Sequence, residues 1–259
     1  MTDRPIRTQP NPKWIRGQFR GLPVVDSRNA VFVWEHPYYP AWYFPANDIA
    51  GELVATGEVK ASSTRGPGVL FDIVVGDTTL SNAAIQYREA TDTELAELIR
   101  VDFASLTNWY EEDEEVFVHP RSPHVRVDAL ASSRHVRVSI DGVEVASSSK
   151  PTLLFETGLP TRYYLPQTDV KMELLEPSST ESECPYKGCA RYWSVRIADT
   201  VREDVVWGYR SPFREVQPIA GLVSFFNEHV DIEVDGVAID RPQPLGIKDN
   251  AFEYRPATD

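Results

Sequence analysis

Val33-Trp34-Glu35, continued by Trp42-Tyr43-Phe44-Pro45 and Asp48-Ile49, is echoed with unchanged spacing by Leu154-Phe155-Glu156, Tyr163-Tyr164-Leu165-Pro166 and Asp169-Val170. Further echoes follow in the same order. Ser62-Ser63-Thr64 is matched to Ser178-Ser179-Thr180, Phe71-Asp72-Ile73 to Trp193-Ser194-Val195, and Tyr87-Arg88 to Tyr209-Arg210. Late in each half, Leu106, Trp109-Tyr110 and Val116-Phe117-Val118 are matched to Leu222, Phe225-Phe226 and Ile232-Glu233-Val234. Ordered repetition over most of both halves is the mark of an internal duplication. The spacing predicts copies over about 18–122 and 123–242, with tails at 1–17 and 243–259. His119-Pro120-Arg121-Ser122-Pro123 reads as the join, because closely spaced prolines favour extended chain over helix.

Strand signals dominate each copy. Val136 to Ile140 alternates with period two and meets Asp141-Gly142, a hairpin turn flanked by Val143-Glu144-Val145. Val230 to Val234 runs into Asp235-Gly236 in the same way, and Val69 to Val75 and Arg191 to Ile197 are rich in aromatic and β-branched residues. Short helices are expected after Pro45 and Pro166 and from Thr93 to Arg100, with Asp48 and Asp169 in a first helical turn beside exposed N–H groups. The expected class is mainly β, antiparallel sheets with a few short helices.

With 259 residues, 42% apolar and 25% charged, the chain has the composition of an ordinary globular protein. A core of that size folds without staples, so Cys184 and Cys189 need no disulfide, and they lack the further ligands of a zinc site. No metal and no cofactor are expected. The net charge of −13 repels phosphate backbones and acidic membranes, so neither nucleic acid nor membrane is the expected partner. No signal-like apolar run opens the chain and no eighteen consecutive residues are apolar, which makes a cytoplasmic address the expectation. The run Glu111-Glu112-Asp113-Glu114-Glu115 reads as a solvated surface loop.

Glu156-Thr157-Gly158-Leu159-Pro160-Thr161-Arg162-Tyr163-Tyr164-Leu165-Pro166, Pro177-Ser178-Ser179-Thr180, Cys184-Pro185-Tyr186-Lys187-Gly188 and Tyr192-Trp193 together resemble the domain of unknown function 427 family. Glu112 to Pro120 is similar to the tail of such a domain, so the resemblance covers both copies, the second more closely. It implies a β-tent-like arrangement of antiparallel sheets around a pocket, and no established activity. The nucleotidyltransferase label sometimes attached to the family finds no acidic metal-ligand pair beside a Gly-Ser here, nor a P-loop or dinucleotide fingerprint.

Chemistry is expected in the second copy. After Ser62-Ser63-Thr64 the first copy reads Arg65-Gly66-Pro67-Gly68, without counterparts of Cys184, Tyr186 and Lys187, and Ala41 stands where the second copy has Arg162. The first copy therefore reads as scaffold. Lys187 beside Cys184 favours a thiolate nucleophile, set against a small thiol packing a turn. Arg162 suits a carboxylate or other anion. Tyr163 and Tyr164 point to opposite faces of one strand, so at most one of them lines a given pocket. Trp193, Trp207 and Tyr209, with Tyr186, supply either an aromatic wall or ordinary core. Glu35 and Glu156 sit in apolar strands, as an ion-pair partner, a ligand acceptor or a base. The leading expectation is a protein that binds a small acidic or amphipathic molecule in the second copy. An enzyme acting through Cys184 in group transfer, and a protein-interaction module, are the alternatives.

Overall fold

The computed structural model describes residues 6–35, 38–90 and 93–242. The chain divides between Ser122 and Pro123 into two compact units. The first contains β1 (Arg7–Pro10), β2 (Ile15–Phe19), β3 (Leu22–Ser27), β4 (Val31–Trp34), β5 (Ala41–Pro45), β6 (Glu52–Ser62), β7 (Gly66–Val75), β8 (Thr78–Gln86), β9 (Leu98–Val101), β10 (Asn108–Glu111) and β11 (Glu114–Val116). The second contains β12 (Val127–Ala131), β13 (Val136–Ile140), β14 (Val143–Ser148), β15 (Thr152–Glu156), β16 (Arg162–Leu165), β17 (Leu175–Cys184), β18 (Gly188–Ile197), β19 (Thr200–Tyr209), β20 (Val223–Phe225), β21 (Asp231–Val234) and β22 (Val237–Ile239). All the named strand pairs are antiparallel, as the sequence leads one to expect.

Each unit packs a seven-stranded sheet on a four-stranded one. In the first the orders are β1-β4-β5-β9-β8-β7-β6 and β11-β10-β2-β3; in the second, β12-β15-β16-β20-β19-β18-β17 and β14-β13-β21-β22. The two orders are the same path traced twice. Between the sheets lies one core per unit, with Ile15, Val25, Phe32, Phe44, Ile73 and Trp109 in the first and Val136, Ala146, Leu165, Val195, Phe225 and Ile232 in the second. Alternation along each strand sends the remaining side chains of the large sheet to its outer face, where smaller apolar clusters form around Tyr43 and Tyr87, and around Tyr164, Trp207 and Tyr209. No helix among the described residues is long and apolar enough to cross a membrane.

Local chemistry explains several elements. Asp141 and Gly142 both take positive φ, +51° and +79°, the backbone a two-residue hairpin needs. The expected helices after Pro45 and Pro166 are single 3-10 turns, and Asp48 and Asp169 each accept the hydroxyl of a serine on the facing sheet, Ser27 at 2.6 Å and Ser148 at 2.7 Å. The Ser148 bond holds the Asp169 carboxyl below the usual carboxylate range, with a smaller contribution from Thr168. A depressed folded-state pKa means stabilisation that is complete above the unfolded value, about 4, and lost as pH falls through the folded one. Ser148→Ala is therefore expected to lower urea-unfolding stability at pH 7 and to differ little from wild type at pH 2. A difference that stays constant with pH would disprove the assignment.

The structure corrects the sequence reading at five places. Residues 6–17, expected as part of a tail, supply β1 and the start of β2. The helix expected over Thr93 to Arg100 stops at Ala96, and Leu98–Val101 is a strand. Ile99 and Val101 alternate into the core and complete the gap between β5 and β8, a tertiary demand that overrides local helix preference. Glu111 is not in a solvated loop but is buried at the end of β10, bonded by Lys13 at 2.6 Å and Arg121 at 3.0 Å. Trp109 does not correspond to Phe225. Trp109 faces Gly17 on β2, and its counterpart Ile232 faces Val138 on β13, whereas Phe225 corresponds to Val101. Finally, Ser62 pairs with Gly66 as Cys184 pairs with Gly188, so Ser62 corresponds to Cys184 and not to Ser178.

Candidate functional site

The last correction changes the reading of the site. Arg65 precedes Gly66 as Lys187 precedes Gly188, and both glycines take positive φ, +76° and +96°, closing the same tight turn. The first unit has therefore not shed its cation. Arg65 pairs with Glu35, and Lys187 pairs with Glu156, at equivalent positions on the outer face of each large sheet. The unusual glutamate at the end of each apolar strand is an ion-pair partner.

Cross-strand register assembles the rest of the second unit's face. Leu154 faces Arg162, Tyr164 faces Ser224, Ser224 faces Trp207, Trp207 faces Tyr192, Tyr209 faces Ala190, and Cys184 faces Gly188. Residues directly opposite across a ladder point to the same side, so Arg162, Tyr164, Tyr192, Trp207, Tyr209, Ser224 and Cys184 share one face. The turn carrying Tyr186 and Lys187 lies at its edge. Tyr163 and Trp193 are not brought there: both pack in the core between the two sheets. Cys189, one residue beyond Gly188, points to the opposite side from Cys184, and both thiols are free.

Two ion pairs stand on this face. Lys187 and Glu156 have side-chain exposures of 11% and 8%. Arg162 makes a bidentate bridge to Glu228, with both N···O distances at 2.7 Å, and its guanidinium lies over Trp207 at 5.5 Å and Phe226 at 5.9 Å. Burial opposes the Lys187 charge, but the neighbouring Cys184 and Glu156 outweigh it and hold the ammonium above its ordinary pKa. Burial likewise disfavours ionised Glu228, and the Arg162 bonds reverse the balance, leaving its carboxyl below the usual range. Burial raises the phenol pKa of Tyr164 and Tyr209, so both remain protonated at neutral pH. Trp207 Nε1 donates to the Tyr164 hydroxyl at 3.1 Å. Ser224 is fully buried between these rings, and its Oγ has no hydrogen-bond partner.

The first unit builds a different variant on the same frame. Tyr43 donates to Glu35, Arg65 donates to the Tyr43 hydroxyl at 3.1 Å, and Arg100 adds a second contact to Glu35 at 3.2 Å. Arg100 holds the place of Ser224, Ile85 that of Trp207, Leu70 that of Tyr192 and Ala41 that of Arg162. Ser62 accepts Arg65 Nε at 3.1 Å and so is occupied.

A family model matches this doubled architecture twice, over residues 7–112 and 128–236, and its description is "Domain of unknown function (DUF427)". The chain belongs to the DUF427 family. Each match coincides with one sandwich, so the protein is a tandem pair of DUF427 domains. No protein of curated function matches the chain.

Sequence reasoning singled out Cys184, Lys187, Glu156, Arg162, Tyr164, Trp207 and Tyr209, which the second DUF427 domain gathers on one face. It missed Glu228, Ser224 and Tyr192 there, and Arg65 and Arg100 in the first domain. The Arg-Gly pair at 65–66, matched to Lys-Gly at 187–188, was the available signal for Arg65. Glu228 and Ser224 carried none.

Proposed function

We propose that the second DUF427 domain binds a small acidic or amphipathic molecule on the outer face of its seven-stranded sheet. The apolar part of the ligand rests against Tyr192, Trp207 and Phe226, and its acidic end is drawn to Arg162 and Lys187. The observation that carries the reading is the pair of largely buried ion pairs on an aromatic face that the sandwich core does not use. A buried ion pair is a weak source of stability, since its desolvation offsets the attraction. Two of them beside the half-buried rings of Tyr192 and Phe226 suit recognition, because ligand sites combine apolar walls with a few convergent polar groups.

The name of the family model, NTP_transf_9, points to nucleotidyl transfer. The described residues contain no group of three or more His, Cys, Asp or Glu that could hold a metal, and the cations of the site are each committed to one carboxylate. A carboxylate-bearing ligand therefore fits the site better than a triphosphate.

Thermal-shift screening with small aryl and alkyl carboxylates tests the reading. Wild type is expected to be stabilised by a subset of them, and Arg162→Ala to lose at least ten-fold in affinity for that subset. Equal responses from both proteins would remove Arg162 from the site. No response from wild type to any acid would remove the reading itself.

A further inference from the structure

We infer that the open edge of the second sandwich, along β12, β15 and β22, is the docking surface for the chain's own C-terminal segment, residues 243–259. The large apolar side chains of that segment are Leu245, Ile247, Phe252 and Tyr254. This surface lies on the core side of the large sheet, away from the proposed binding face, so the two readings stand or fall separately.

Cross-strand register places four exposed apolar residues on the core side of the two sheets. Leu130 faces the core residue Leu153, and Phe155 lies two residues further along β15 on the same side. Val237 faces Val234 and Ile239 faces Ile232, again core residues. Yet Leu130 and Phe155 are 54% and 41% exposed, and Val237 and Ile239 are 64% and 37% exposed. The two strips border one opening. Asn227, ahead of β21, donates to the carbonyl of Thr161, ahead of β16, at 2.9 Å, which holds the β21–β22 end of the small sheet beside the β15–β16 connection. Contiguous exposed apolar surface of this kind marks an interaction site.

The first domain shows what covers the same place. Val116 faces Trp109 as Ile239 faces Ile232, but Val116 is only 3% exposed. The chain leaving β11 folds back over it: His119 and Ser122 are buried, and the His119 ring stacks on Tyr39 of the β4–β5 connection with centroids 4.3 Å apart. Trp34, the counterpart of Phe155, packs against the first core with the Arg7 guanidinium 4.6 Å from its ring. In the second domain Asp240 and Arg241 hold the places of Phe117 and Val118. Both are exposed, and Arg241 turns back to Asp231 at 2.7 Å instead of covering the edge. Large apolar side chains resume at Leu245, in the segment that continues from β22 and lies outside the described residues. The span from Pro242 to Phe252 reaches up to about 33 Å, whereas three neighbouring strands cover only about 10 Å. The sister domain closes this edge with the chain that leaves the same strand, and attachment at β22 gives residues 243–259 a high effective concentration there.

Hydrogen exchange on the full chain tests the assignment, with Leu245→Ser/Ile247→Ser/Phe252→Ser/Tyr254→Ser as the comparison protein. Peptides over 127–131, 152–159 and 231–239 are expected to exchange about ten-fold faster in the variant. Those over 7–10 and 114–122, the matching edge of the first domain, are expected to be unchanged. The difference is expected to be the same at about 1 and about 100 µM protein, because the cover is intramolecular. Equal exchange in the two proteins would overturn the inference and leave the edge to a separate partner. Protection that rises with protein concentration would overturn it in favour of a second copy. A change spread equally over both domains would also overturn it, since the segment would then not be specific to this edge.

Discussion

Glu156→Leu alone is expected to destabilise the second domain by about 3–5 kcal/mol, the cost of stranding a buried charge. The Lys187 ammonium would remain on a face walled by Tyr164 and Tyr209, with its carboxylate partner gone. The double variant Glu156→Leu/Lys187→Met is expected to recover most of that loss, since replacing both partners by apolar groups of similar volume is often close to neutral. Urea titration with hydrogen exchange followed over peptides from 154 to 209 reads the effect within the second domain. If the double variant is no more stable than the single one, the pair is not the self-contained unit described above. The corresponding carboxylate in the first domain, Glu35, is shared between two arginines and the Tyr43 hydroxyl. Its removal strands more charge, so the two domains differ in kind as well as in sequence.

Trp109→Ala is expected to cost the first domain about 3–5 kcal/mol, in the range of buried large-to-small changes at aromatic positions. Trp109 is 2% exposed, stacks on Phe44 and Phe103 with centroids 5.9 and 5.5 Å away, and donates Nε1–H to the Phe103 carbonyl at 2.9 Å. Its ring also fills the space above Gly17, where an added Cβ would lie 2.8 Å from Cζ3. The second domain solves the same packing problem with Ile232 over Val138. One copy pairs a very large residue with the smallest, and the other pairs two of middle size, a volume exchange that cores tolerate well. Two calorimetric transitions, with only the one from the first domain displaced by several degrees, are the expected result. A loss below about 1 kcal/mol would mean that the ring is not the keystone its contacts suggest.

The same exchange shows why the duplication was legible early and its details were not. Val33 to Ile49 and Leu154 to Val170 keep their spacing because strands β4, β5, β15 and β16 and the 3-10 turns after them contain no insertion. Further along, the copies differ by one or two residues in the connecting segments, and similarity of residue type misleads across such gaps. Ser62-Ser63-Thr64 matched Ser178-Ser179-Thr180 by composition, yet the hairpin register places Ser62 with Cys184. Trp109 matched Phe225 as aromatic to aromatic, yet the ladder places it with Ile232. Backbone hydrogen bonds are indifferent to side-chain likeness, and they decide which positions correspond.

Several site residues were legible because they violate a local rule. A glutamate in an apolar strand and a cation before a positive-φ glycine each need a reason, and here they supply one another's. Glu111 misled for the opposite cause: an acidic run is ordinarily solvated, and only Lys13 and Arg121, distant in the chain on one side and in the join on the other, make its burial tolerable.

By itself the sequence determined the β class, the duplication, the hairpin turns and the cluster of Cys184, Lys187, Arg162 and Tyr164 as the place to look, because periodicity, turn chemistry and repetition are local or self-referential signals. Only the tertiary structure decided that Arg65 is the counterpart of Lys187, that Glu228 holds Arg162, that Ser224 lies unbonded between two aromatic rings, and that Tyr163 and Trp193 belong to the core. Those facts depend on which strand lies beside which and on which face a side chain leaves. Both are set by the register of hydrogen bonds between segments far apart in the chain.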